Sequence, residues 1–276
     1  MSRHGAALCT CCFLALLLPL CAQDHSADTA IWTGTSGNYE IEWSAATLRA
    51  TRIDTKEIAF DARADAQAAW ARIMQRSSGA PLKAEFTYRL LSVEGPYLTF
   101  EEEEYCDCGG AHPTAVKRFR AIQLDQSKSD SLQPANLTEL FSPEAIHKAL
   151  VADSLVRKAL GSEATPGSLH DLLEQLVDQR VKVGECDYSF PSSLMSSFAV
   201  YDVLDESVLV RLGLPAAAES CRGRLSQIGI TLSPSEATRA SLLTAKQQHH
   251  GLLMTEADRT MRSKVTSFRF SHDRGH

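Results

Sequence analysis

The 276-residue chain is 44% hydrophobic with 15 glycines and 10 prolines, so it can bury one sizeable core with a small appendage and is not a disordered polymer. Its formal charge of −6 argues against nucleic acid as a partner and favours attraction of a basic one over long range.

Residues 1–22 have a charged start at Arg3, an apolar run from Phe13 to Leu20 and then small or polar residues, the layout of a secretory leader. The run is too short to span a bilayer. Cleavage after Ala22 would leave Gln23 at the mature end, and a lipid anchor on Cys21 is the alternative. With Arg3 in the leader, 27 basic and 34 acidic side chains remain, a charge of −7. Export places the chain outside the cytoplasm, in the periplasm or secreted. Cys106, Cys108, Cys186 and Cys221 then form an even set in an oxidising compartment. Two cysteines on one strand face lie about 6.5–7 Å apart, at the edge of what a disulfide spans. The expectation is therefore that Cys106 and Cys108 each bridge to one of Cys186 and Cys221.

In chain order, Asp24 to Thr35 shows little pattern, and Asn38 to Trp43 alternates as a short strand that Ala45 to Ile53 could extend. Asp61 to Arg76 has helical spacing at Ala66, Ala69, Trp70 and Ile73. Ser77 to Pro81 breaks it, so residues 28–79 read as a small N-terminal module and 83–250 as the main domain. Ala84 to Leu90 alternates as a half-buried strand, Gly95-Pro96 turns, and a second alternating run from Tyr97 ends in Cys106, Asp107, Cys108 and the loop Gly109-Gly110-Ala111-His112-Pro113. Ala115 to Leu124 returns as a strand.

Ser142 and Pro143 start a helix that runs to about Leu160 and stops at Gly161. Ser168 to Arg180 is a second helix. Phe198 to Val203 and Ser207 to Leu212 are strands around Asp205-Glu206, and Arg224 to Leu232 is a last strand. Ser233-Pro234 caps a helix from Ser235 to about Gln248, and 251–276 is a polar, frayed tail. The fold class is α+β, a mainly antiparallel sheet covered by helices.

The order SVEGPYLTFEEEEYCDCGGAHP, AIQLD, LTELF, FAVYDVLDESVLVRLGLP and CRGRLSQIGITL resembles the DUF3298 family, over roughly Lys83 to Gln248. That extracytoplasmic domain occurs in lysozyme-sensing anti-sigma factors and beside some peptidoglycan deacetylases. The resemblance implies recognition of a lysozyme-like enzyme or a wall-related ligand, with Gly109, Gly110, His112 and Pro113 as its most specific segment. A membrane span and a cytoplasmic sigma-binding segment are not expected here, so the signalling role is not carried over.

His112 beside Cys106 and Cys108 has ligand types that zinc uses, yet C-x-C-x3-H lacks a second spaced pair, and no metal or cofactor is assigned. Two readings of His112 stay open: it holds the turn by hydrogen bonding, or it recognises a partner at an exposed tip. Glu101 to Glu104 with Asp107 form the densest acidic run, and alternation makes Glu101/Glu103 and Glu102/Glu104 two exposed same-side pairs rather than a cleft. Glu102, Glu104 and Asp107 are thereby candidate contacts for a cationic partner, beside the reading of a solvated strand that resists aggregation. No nucleophile elbow, H-E-x-x-H helix or phosphate loop appears. Binding is the leading function. An enzyme acting on wall glycan, with His112 and nearby carboxylates as acid and base, and a structural envelope accessory are the alternatives.

Overall fold

A computed structural model describes residues 29–76, 82–109, 111–126, 132–161, 166–204, 206–247, 254 and 263–272. The leader with Cys21, the break at Ser77 to Pro81, Gly110 and Asp205 lie outside the described residues.

The chain starts with an antiparallel meander of β1 (Ala30–Ser36), β2 (Tyr39–Ser44), β3 (Leu48–Arg52) and β4 (Ile58–Asp61). The first strand falls where the sequence shows no pattern, because it is a sheet edge with no buried residue and so has no apolar stripe to display. In β2, Tyr39, Ile41 and Trp43 point inward. The stretch after Trp43 does not extend that strand but turns back into β3. Asp61 then starts α1 (Ala62–Arg76), its Oδ1 accepting from the amides of Arg63 and Ala64 at 2.8 and 3.3 Å.

The long hairpin is β5 (Leu82–Glu94) and β6 (Tyr97–Asp107), joined at Gly95, whose φ of +53° suits a tight turn. With β7 (Thr114–Gln123) and β13 (Thr266–His272) it forms one antiparallel sheet in the order β13-β5-β6-β7. The tail read as frayed thus supplies an edge strand, with Phe268 opposite Phe86. Its cue is short: only Phe268 and Phe270 alternate, and the pairing with β5 is more than 170 residues distant in sequence.

One face of this sheet carries Phe86, Tyr88, Leu90, Leu98 and Phe100, which share a single core with Tyr39, Ile41, Trp43, Phe60 and Ala66. The N-terminal module therefore packs on the hairpin as the other half of one core.

The second half of the chain holds α2 (Pro143–Ala152), α3 (Ser154–Leu160), α4 (Leu169–Leu176), the ribbon β8 (Arg180–Val183) and β9 (Cys186–Ser189), a sheet of β10 (Phe198–Val203), β11 (Val208–Pro215) and β12 (Leu225–Leu232), and α5 (Glu236–Gln247). The Ser142 cap and the Gly161 stop fall where expected. The helix between them is not continuous, because Asp153 is extended (φ −70°, ψ 140°) and its carboxylate accepts from the amides of Leu155 and Val156, ending α2 and capping α3. The next helix ends at Leu176, four residues earlier than the spacing suggests, and Arg180 already belongs to β8.

Ile146, Leu150, Leu172, Leu176, Val210, Leu212, Leu214 and Ile228 build a second core between these helices and the β10–β12 sheet. The other side of that sheet meets β5 and β7 through Leu91, Phe119 and Ala199. The approach is close at Gly213, where a Cβ would lie 3.0 Å from the Phe119 ring. Five α-helices and the antiparallel sheets among the described residues make this an α+β protein.

Candidate functional site

Three environments converge on the hairpin. The first is on the covered face. Register places Glu102 opposite Tyr88 on one side and Arg118 on the other, with Arg120 two residues further on. Arg118 donates to both Glu102 carboxylate oxygens at 3.1 and 3.2 Å, and Arg120 Nη1 reaches Glu102 Oε2 at 2.9 Å and Asp65 Oδ2 at 2.7 Å. The Tyr88 hydroxyl donates to the same Asp65 oxygen at 2.9 Å, and the Arg120 guanidinium lies over Phe100 at 5.1 Å from the ring centre.

Glu102 is 1% exposed, which corrects its reading as a surface contact. The reason is α1: it covers this face of the sheet, and two guanidiniums supply the hydrogen bonds that the carboxylate loses when water is excluded. Burial, then Asp65 and Glu102, push the Tyr88 phenol far above its ordinary range. Burial alone would lower Arg120, but Glu102 and Asp65 outweigh it and hold the guanidinium charged. Glu104, on the same face nearer the tip, is half-buried, and its carboxyl is raised by burial against the opposing pull of Arg118.

The second environment is the hairpin end. Cys106 and Cys108 form one bridge, with Cα atoms 5.3 Å apart, and Cys186 and Cys221 form the other at 5.8 Å. This corrects the expected cross-pairing. A fully extended C-x-C would hold its Cα atoms about 6.5–7 Å apart, but the backbone bends at Asp107, where β6 ends, and this brings the two cysteines within bridging distance.

The tip is nevertheless tied to the segment around Cys221. The Arg222 guanidinium donates to the Pro113 carbonyl, and the Gly223 amide donates to the Ala115 carbonyl at 2.9 Å. Tyr105, Asp107, Gly109 and His112 are exposed and Pro113 is half-buried. Among the described residues His112 has no hydrogen-bond partner, so the turn is held by Arg222 and Gly223 rather than by its imidazole. No group of three His, Cys, Asp or Glu side chains suited to a metal ion occurs among the described residues.

The third environment was missed in the sequence. On the opposite sheet face, Arg89 pairs with Glu101 at 2.6 Å and Lys117 with Glu103 at 2.8 Å. They line a cleft of about 600 Å³ closed by Thr87, Tyr188, Val265 and the run Gly223, Arg224, Leu225 and Gln227. Glu101 and Glu103 are thus not an exposed pair on a bare strand but part of a cleft wall. Arg89, Glu101 and Lys117 on facing strands carry the only cue, and the opposite wall comes from Tyr188, from Gly223 to Gln227 and from Val265, all more than seventy positions later.

Together these features define an α+β protein with an exposed, disulfide-bridged hairpin end on one side of a polar cleft and a buried ionic cluster beneath it. No protein-family model matches the chain, and no curated protein is significantly similar to it. No helix among the described residues is long and apolar enough to cross a membrane.

Proposed function

We propose that this is a secreted or periplasmic binding protein of the cell envelope that recognises a cationic, lysozyme-like enzyme through the end of the β5–β6 hairpin. The observation that carries the reading is the combination at the tip: Tyr105, Asp107 and His112 are exposed on a segment held by the Cys106–Cys108 bridge and by two hydrogen bonds from Arg222 and Gly223. A held loop loses little conformational freedom on binding, and an aromatic with a charged neighbour is a common interface anchor. The leader-like residues 1–22 and the resemblance of the C-x-C-G-G-x-H-P segment to DUF3298 support the same reading.

The acidic surface is smaller than the run of glutamates suggests. Glu101, Glu102 and Glu103 are engaged with basic side chains and Glu104 is half-buried, so Asp107 is the exposed acid at the tip. Long-range attraction comes from the net charge of the whole chain.

Surface plasmon resonance of the secreted form against a lysozyme at two salt concentrations tests this. Binding that weakens with salt and falls by about 1–3 kcal/mol in Asp107→Lys/His112→Ala is expected. Absence of binding at tens of micromolar, or equal binding by the variant, removes the reading. Glu102 is excluded from the variant, because changing it would test the fold rather than the surface.

A further inference from the structure

The cleft between the outer sheet face and β12 has the size of a small-molecule site, about 600 Å³, and its walls come from three elements fixed against each other. The sheet side presents Thr87, Arg89, Glu101, Glu103 and Lys117. The facing side is anchored to β9 by the Cys186–Cys221 bridge, and Tyr188 follows two residues after Cys186. Arg224 is pinned through its backbone: its amide donates to the Cys221 carbonyl at 3.0 Å, and its carbonyl accepts from the Ala216 amide at 3.1 Å. At Gly223 the missing side chain keeps the wall open, since a Cβ there would come within 3.4 Å of Glu103 Oε1.

The charges inside the cleft do not cancel. Arg89 and Lys117 are matched by Glu101 and Glu103, whereas Arg224 is exposed at the rim and pairs with no carboxylate among the described residues. One cation is therefore left for a ligand anion. A guanidinium takes a carboxylate in a two-pronged geometry. The remaining lining suits neutral hydrogen-bonding groups: carboxylate oxygens of Glu101 and Glu103 accept from hydroxyls, Gln227 and Thr87 donate and accept, and Tyr188 adds a phenol and an apolar ring. A second free cation would favour a phosphate, and an apolar lining would favour a lipid; neither is present in this wall.

We propose that this cleft binds a carboxylated sugar, with the carboxylate on Arg224 and ring hydroxyls on Glu103 and Gln227. The site is separate from the tip residues Tyr105, Asp107 and His112 and does not depend on their recognising a protein.

The test is an NMR titration of the secreted, isotope-labelled protein with methyl β-D-glucuronide and, separately, methyl β-D-glucoside, two probes that differ only in the carboxylate. Saturable shifts at Gly223, Arg224 and Gln227 with the glucuronide at millimolar concentration are expected, with the glucoside about tenfold weaker. Arg224→Gln should remove that preference while Asp107→Lys leaves it unchanged, which separates this site from the tip. The proposal is overturned by no saturable response to the glucuronide, by equal responses to both probes, or by a preference that persists in Arg224→Gln. The comparison of the two probes on the unaltered protein decides the matter even if Arg224→Gln does not fold.

Discussion

The amide of Gly223 donates to the carbonyl of Ala115 at 2.9 Å, with Gly223 at φ +70°, so the start of the last long segment is sewn to the strand that leaves the hairpin tip. The same residue forms the lip of the cleft and sits next to Arg222, which holds Pro113. One backbone contact thus supports both proposed binding surfaces.

Gly223→Ala should be destabilising for two reasons. A Cβ would lie 3.3 Å from the Cβ of Ala115, and a positive φ strains any L side chain. A loss of about 1–3 kcal/mol in urea unfolding is expected. A midpoint equal to that of the native protein would show that the contact gives way freely.

Glu102→Gln should cost about 3–5 kcal/mol, because it leaves the largely buried Arg120 with one counter-charge fewer and keeps the site desolvated. Arg118→Gln leaves Glu102 still paired with Arg120, and Arg118 itself is 42% exposed at its side chain, so that change should cost less, about 1–3 kcal/mol. Chemical unfolding of the two variants side by side measures the difference, and equal losses would contradict the asymmetry.

Cys186→Ala/Cys221→Ala removes a bridge with a sequence separation of 35, and the chain-entropy relation gives a loss of about 4 kcal/mol. Cys106→Ser/Cys108→Ser closes only a separation of 2 and should cost far less while loosening the tip. Non-reducing peptide mapping should find Cys186 linked to Cys221, and a Cys106–Cys221 peptide would refute the pairing.

Glu94 is 3% exposed at the end of β5, its Oε2 has no hydrogen-bond partner, and burial pushes its carboxyl up to about 8. The folded state therefore keeps the proton where the unfolded chain, with a carboxyl near 4.5, has lost it. The contribution to stability is complete below about pH 4.5, declines as pH rises and is exhausted above about pH 8. Glu94→Gln carries no such titration, so it should be more stable than the native protein at pH 8, by about 2–5 kcal/mol, and near equal to it at pH 4. Thermal unfolding across that interval checks both ends, and parallel pH curves for the two proteins would count against a buried proton at Glu94.

Local chemistry determined a good part of this protein on its own. The alternation through Phe86, Tyr88 and Leu90, the turn at Gly95-Pro96, the cap at Ser142-Pro143 and the stop at Gly161 each depend on a few neighbouring residues, and all are legible in the sequence. Alternation also sorted Glu101 and Glu103 from Glu102 and Glu104, but it could not say what covers either face. Tertiary packing decided that: α1 buries Glu102 against Arg118 and Arg120, while β12 and Tyr188 close a cleft over Glu101 and Glu103. The same holds for the cysteines, whose partners depended on whether the chain at Asp107 stayed extended or bent, and for β13, which has little apolar pattern and becomes a strand by pairing with β5. A strand's faces are set by its own geometry, whereas their solvation is set by segments distant in sequence, and charged residues in particular take their role from whichever counter-charges those segments bring.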